Sequence, residues 1–214
     1  MSDEVLEHLK AGIRRFQTQI YPAQAERYRR VMSEPQRPHA LIVTCADSRI
    51  HPDMLTQADP GEIFVTRNIG NLVPAHGEMI GGVSAVLEFA VRAMQVRHIA
   101  VAGHMECGAM KALLEPDSLE PMPIVKAWLT NAHKALESAR AIRAARRERG
   151  EDAGDLMRIL TEQNVLLQMQ HVRSHPSVAE AMSFGELTLS GWIYDIAAGG
   201  VEICEDGRDR FDPV

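Results

Sequence analysis

Short apolar runs alternate along the chain with segments whose apolar positions recur every three to four residues. Residues 40–44, 62–66 and 98–103 are nearly continuous apolar runs, and each predicts a buried strand. Residues 81–94 and 155–172 have the periodicity of helices packed on a core. The pattern predicts an α/β fold with a mostly parallel central sheet flanked by helices.

The two ends of the chain depart from this alternation. Residues 3–33 predict one or two helices with an apolar stripe, and Pro22 marks a break or a new helix start. Near the other end, residues 187–194 and 201–204 predict a closing strand hairpin. We therefore expect one domain over residues 1–214, with a helical arm at 1–35 and an α/β core at 36–214.

Between the predicted helices at 81–94 and 155–172, the sequence predicts one long helix, which begins at Pro121 or Pro123 and runs to about Arg149. Its end is crowded with arginines, which complement the helix dipole and indicate a solvated helix end.

Composition narrows the class of protein. The 214 residues suit one globular domain, and a formal charge of −6 gives no general attraction to nucleic acid. We find no apolar run long enough to span a membrane and no signal-peptide pattern at the start, so we expect a cytoplasmic protein without a membrane partner. The three cysteines indicate metal ligands or thiols and not a disulfide framework.

Chemically active residues follow two of the predicted strands directly. Cys45, Asp47 and Arg49 follow the first strand at alternate positions and would converge if the strand geometry persisted. His104 and Cys107 follow the strand at 98–103. A lone buried cysteine is usually a packed thiol, but ligands gather at the carboxyl ends of parallel strands, so the two segments together favour a metal site.

These residues carry a resemblance to the β-class carbonic anhydrases. Cys-x-Asp-x-Arg at 45–49 and His-x-x-Cys at 104–107 resemble that family's motifs, and the similarity covers nearly the whole chain. Residues 191–195 resemble its bacterial, cyanate-associated branch. Further matching stretches lie at 60–68, 81–90, 103–108 and 175–178.

The resemblance implies a zinc lyase that interconverts carbon dioxide and bicarbonate, with zinc-bound hydroxide as the nucleophile. Its zinc ligands would be Cys45, His104 and Cys107, and Asp47 and Arg49 would form a catalytic pair. Homodimers or tetramers are also implied. As in a plant-like subgroup, Gln36 would help bind bicarbonate and Phe64 would form an aromatic pocket wall. The other substrate-binding residues would be Phe89, at a position where some members carry tyrosine, and Gly108.

The charge at such a site makes Asp47 and Arg49 important. Two thiolates and a neutral imidazole cancel the charge of zinc, so its water is a weaker acid than one bound through three neutral ligands. Asp47 could accept a hydrogen bond from that water, or it could coordinate the zinc and close the site. Arg49 decides between these states, because a bidentate guanidinium holds the carboxylate off the metal.

Two other functions remain open from the sequence. The same scaffold could hydrolyse carbonyl sulfide or carbon disulfide, which are linear relatives of carbon dioxide. Alternatively, the zinc could be structural in a non-catalytic bicarbonate-binding protein. The Asp47–Arg49 pair favours catalysis, because a closed structural site would not need it.

Overall fold

The computed structural model describes residues 2–33, 35–79 and 81–214. The chain divides into two compact units, Met1–Gln36 and Arg37–Val214. Within the described ranges, no helix is long and apolar enough to cross a bilayer.

The first unit is helical. Helix α1 (Ser2–Arg15) leads through a short π-helical stretch, Phe16–Ile20, into α2 (Tyr21–Met32). Pro22 lies in the first turn of α2 and has no N–H to donate. The turn before it is widened, and the Tyr21 N–H reaches back to the first carbonyl of the π-helical stretch. The two helices therefore meet at the predicted break.

The second unit is built around a six-stranded sheet. Its strands are β1 (Ala40–Cys45), β2 (Ile63–Asn68), β3 (His98–His104), β4 (Thr188–Tyr194), β5 (Val201–Glu205) and β6 (Asp212–Pro213). Their order in the sheet is β2-β1-β3-β4-β5-β6. Strands β1 to β4 pair in parallel, whereas β5 and β6 are antiparallel additions. The predicted α/β class, with a mostly parallel sheet and a C-terminal hairpin, is confirmed. The short β6 was not predicted.

Helix α8 (Leu156–Ser174) packs on the centre of this sheet. Gly103 and Gly191 lie directly beneath it, and a Cβ on either residue would come within 2.7 Å or 2.5 Å of Val165, respectively. Glycine at both positions therefore lets the helix approach the strands closely. The helices of this unit are α3 (Pro52–Thr56), α4 (Gly82–Arg92), α5 (Gly108–Leu114), α6 (Pro123–Trp128), α7 (His133–Glu148), α8 (Leu156–Ser174) and α9 (Pro176–Ser183).

The predicted long helix between Pro121 and Arg149 is wrong in one respect, because it is interrupted. A 3-10 turn, Leu129–Ala132, separates α6 from α7. There the Thr130 hydroxyl and the Asn131 amide donate to the carbonyls of Ala127 and Trp128, at 2.7 and 2.8 Å. Such local side-chain bonds compete with regular helical bonding, and the periodicity of apolar residues does not reveal them.

Candidate metal centre

The carboxyl ends of β1 and β3, which are neighbours in the sheet, bring three candidate ligands together. Cys45 and His104 are the last residues of these strands, and Cys107 immediately precedes α5. Their donor atoms all lie within 4.8 Å of one another, and all three residues are buried. We call these residues the Cys–His–Cys group. No other cluster of three or more such residues was found among residues 2–33, 35–79 and 81–214.

The geometry of the group fits a tetrahedral metal. The sulfurs of Cys45 and Cys107 are 3.9 Å apart. Two sulfurs bound at about 2.3 Å to one tetrahedral zinc lie roughly 3.8 Å apart. The Nδ1 atom of His104 lies 2.9 Å from the Met105 carbonyl, so it must carry the proton and donate it. The Nε2 atom therefore keeps its lone pair, and it is buried without a hydrogen-bond partner.

The two thiols shift each other's pKa in opposite directions. The hydrogen bond from Cys107 lowers the pKa of the Cys45 thiol, against the opposing effect of burial. The same contact with Cys45, followed by burial, raises the pKa of Cys107. Metal ligands must be deprotonated, so binding of a metal cation would release the thiol protons of this pair.

Asp47 and Arg49 form a bidentate pair in a turn beyond β1. The strand ends at Cys45, so its alternation does not persist, and the turn brings the pair together instead. Nε and Nη2 of Arg49 donate to Oδ1 and Oδ2 of Asp47 at 2.9 and 2.7 Å, and the Arg49 N–H donates to Oδ1 at 3.0 Å. These bonds hold the pKa of the Asp47 carboxyl well below its usual range. Its Oδ2 is 4.0 Å from His104 Nε2, beside the metal group.

Arg67 also contacts this turn, although sequence reasoning gave it no role. Its Nε donates to the Cys45 carbonyl at 3.1 Å, and its Nη2 donates to the Asp47 carbonyl at 2.5 Å. The only sign of this role in the sequence is the position of Arg67, a cationic residue near the end of a predicted strand. Its importance depends on β2 lying next to β1, which the sequence does not state.

The residues expected to bind substrate do not all lie beside the Cys–His–Cys group. Phe64 and Phe89 pair with each other at 6.1 Å between ring centroids. In the sheet Phe64 lies beside Leu41, four residues before Cys45, which is roughly 13 Å along the strand. Gly108 follows Cys107 directly, and no heavy atom lies within 4 Å of where its Cβ would stand. Gln36 belongs to the first unit.

Comparison with known proteins points to one family. A sequence profile described as carbonic anhydrase matches residues 40–201. A carbonic anhydrase of Pseudomonas aeruginosa is 42% identical over 200 residues, which cover 94% of this chain and 88% of that protein. The solved β-carbonic anhydrase CcaA is 31% identical with a TM-score of 0.86, over 99% of this chain and 92% of that one. Tetrameric β-carbonic anhydrases of Sordaria macrospora share the fold, at 24% identity and a TM-score of 0.62, over 97% of this chain and 96% of theirs.

Proposed function

The chain belongs to the β-carbonic anhydrase family, and we propose that it reversibly hydrates carbon dioxide with a zinc ion held by Cys45, His104 and Cys107. The observation that carries the zinc assignment is the donor set itself. Two buried sulfurs lie 3.9 Å apart, as a tetrahedral metal requires, and the buried Nε2 atom of His104 has no hydrogen-bond partner. Thiolate and imidazole are the ligands that zinc prefers.

A bound zinc would supply Lewis acidity to activate water at a fourth, open position. The protein's part is to orient that water. Asp47 Oδ2 lies beside His104 Nε2 and is therefore suited to accept a hydrogen bond from the water. Arg49 occupies both carboxylate oxygens, which keeps Asp47 charged and directed away from the position that the water needs.

Substrate would approach this position along Gly108, whose missing side chain leaves open space after Cys107. We assign Gln36 to bicarbonate binding on the family resemblance alone. Phe64 lies about 13 Å along the strand from Cys45 of its own chain, and Phe89, which packs on Phe64, is 47% exposed. We therefore propose that this aromatic pair lines the pocket of a second copy.

An oligomer is supported by a second feature. The apolar stripe of α1 is largely exposed; Val5, Leu6, Leu9 and Ile13 expose 63, 50, 57 and 56% of their surface. An exposed stripe of this kind is typical of a surface that another chain covers. We propose a homodimer, or a tetramer of two such dimers. A monomer in light scattering at micromolar concentration would contradict this assembly.

Stopped-flow hydration of carbon dioxide, with metal analysis of the same sample, tests the function. We expect about one zinc per chain and hydration well above the buffer rate. Zinc-loaded protein with no hydration between neutral and alkaline pH would instead indicate a structural zinc. Turnover of carbonyl sulfide and of carbon disulfide should be measured on the same sample. If either compound is turned over faster than carbon dioxide, it becomes the proposed substrate.

A further inference from the structure

Arg67 is not a member of the Cys–His–Cys group, but it contacts the backbone of one member, Cys45. It occupies the last position but one of β2, next to Thr44 of β1. Its guanidinium bridges the carbonyls of Cys45 and Asp47. We propose that Arg67 is a positioning residue that keeps Asp47 on Arg49 and out of the metal's fourth position. This inference rests on the proposed function, which requires that position to stay open for water.

The turn is held to β2 at three points. Besides the two bonds from Arg67, the Ala46 N–H donates to the Asn68 carbonyl at 2.8 Å. The Asp47 carbonyl also accepts the Ile50 N–H, at 3.1 Å, so its direction is set from two sides. The Cys45–Ala46 and Asp47–Ser48 peptide groups are therefore both held by residues of the neighbouring strand.

This fixed backbone determines where the Asp47 carboxylate points. Its Oδ1 accepts from both the backbone N–H and the side chain of Arg49, and these two donors coincide only while the turn keeps its shape. The alternative partner is close, since Oδ2 is 4.0 Å from His104 Nε2. Loosening the turn removes the preference for Arg49, and the carboxylate then gains access to the metal as a fourth protein ligand.

Only an arginine side chain suits this role. A guanidinium presents several donors in a rigid plane, so one side chain can satisfy two carbonyls at once. A lysine carries its donors on a single nitrogen. Arg67→Lys should therefore preserve the charge and only part of the positioning.

The rate of zinc release to a chelator distinguishes positioning from general support. A closed site has four protein ligands in place of three and should hold zinc longer. We expect Arg67→Ala to release zinc about fivefold more slowly and to lose about tenfold in kcat/KM for carbon dioxide, because open molecules become a minority. Arg67→Lys should lie between Arg67→Ala and the wild type. The matched control is Arg92→Ala, which removes an exposed arginine paired with Glu180 and should change neither quantity.

A double variant isolates the part played by Asp47. In the Asp47→Ala background no carboxylate can close the site, so adding Arg67→Ala should not slow zinc release any further. Faster release from Arg67→Ala, unchanged release, or equal slowing in the Asp47→Ala background would each overturn the proposal. If Arg67→Ala does not fold, Arg67→Lys carries the same comparison. Wild-type protein that binds zinc but does not hydrate carbon dioxide would refute the proposed function, and the release rates would still decide the role of Arg67.

Discussion

Replacing Gly103 with alanine should drive α8 away from the sheet, next to the ligand His104. The new Cβ would lie 2.7 Å from Cγ2 of Val165 and 3.6 Å from Cγ2 of Thr161. Relaxed carbon contacts lie at about 3.5–4.0 Å, so helix and strand would have to separate by roughly 1 Å. Val165 is fully buried and β-branched, and it cannot rotate away cheaply.

Overpacking of this kind costs about 1–3 kcal/mol. At about 2–4 °C per kcal/mol for a chain of this size, Tm should fall by roughly 2–12 °C. Thermal unfolding should be measured on metal-free protein, so that the difference reports packing and not zinc affinity. Gly200→Ala is the matched control, because no heavy atom lies within 4 Å of its Cβ position.

A rescue variant sharpens the test. Val165→Ala removes the methyl groups that the new Cβ would meet, although its own cavity costs about 1–2 kcal/mol. Gly103→Ala combined with Val165→Ala should therefore be at least ~1 kcal/mol more stable than the sum of the single changes predicts. Additive effects, or a Gly103→Ala protein that melts with the wild type, would refute the close approach of α8.

Three further predictions concern single side chains. Arg49→Ala should retain zinc but lose about tenfold or more in kcat/KM at neutral pH, because Asp47 loses its bidentate partner; metal analysis and stopped-flow assays check this. Glu106 has a left-handed backbone, with φ +59°, which glycine adopts without strain, and its exposed ion pair with Lys111 contributes little to stability. Glu106→Gly should therefore raise the free energy of unfolding by about 0.5–1 kcal/mol in denaturant titrations. Burial lowers the pKa of His98, so below about pH 6.5 the unfolded chain binds a proton that the folded protein does not bind as readily. The Tm should therefore fall between pH 7.5 and pH 5.5, and His98→Gln should reduce that fall.

The metal group could be predicted because its signals are local. Cys45 and His104 end apolar runs, and parallel strands bring their carboxyl ends to one edge of the sheet. Cys107 follows His104 by three residues, so its side chain has to lie near that of His104. The sequence alone did not establish that β1 and β3 are direct neighbours in the sheet.

Other features depend on contacts between distant segments. The role of Arg67 arises because its side chain crosses from β2 to β1, and no spacing within one strand encodes such a crossing. The separation of Phe64 from the metal group is likewise a matter of strand register. The break before α7 depends on side-chain hydrogen bonds of Thr130 and Asn131, which interrupt a continuous helical pattern.

The most direct test of the zinc assignment is the zinc content of Cys45→Ser protein, measured beside Cys204→Ser. Both cysteines are buried, but Cys204 lies outside the Cys–His–Cys group. We expect Cys204→Ser to retain about one zinc per chain and the wild-type hydration rate, whereas Cys45→Ser should lose both. Full zinc occupancy in Cys45→Ser, or equal loss of zinc from both variants, would contradict the account.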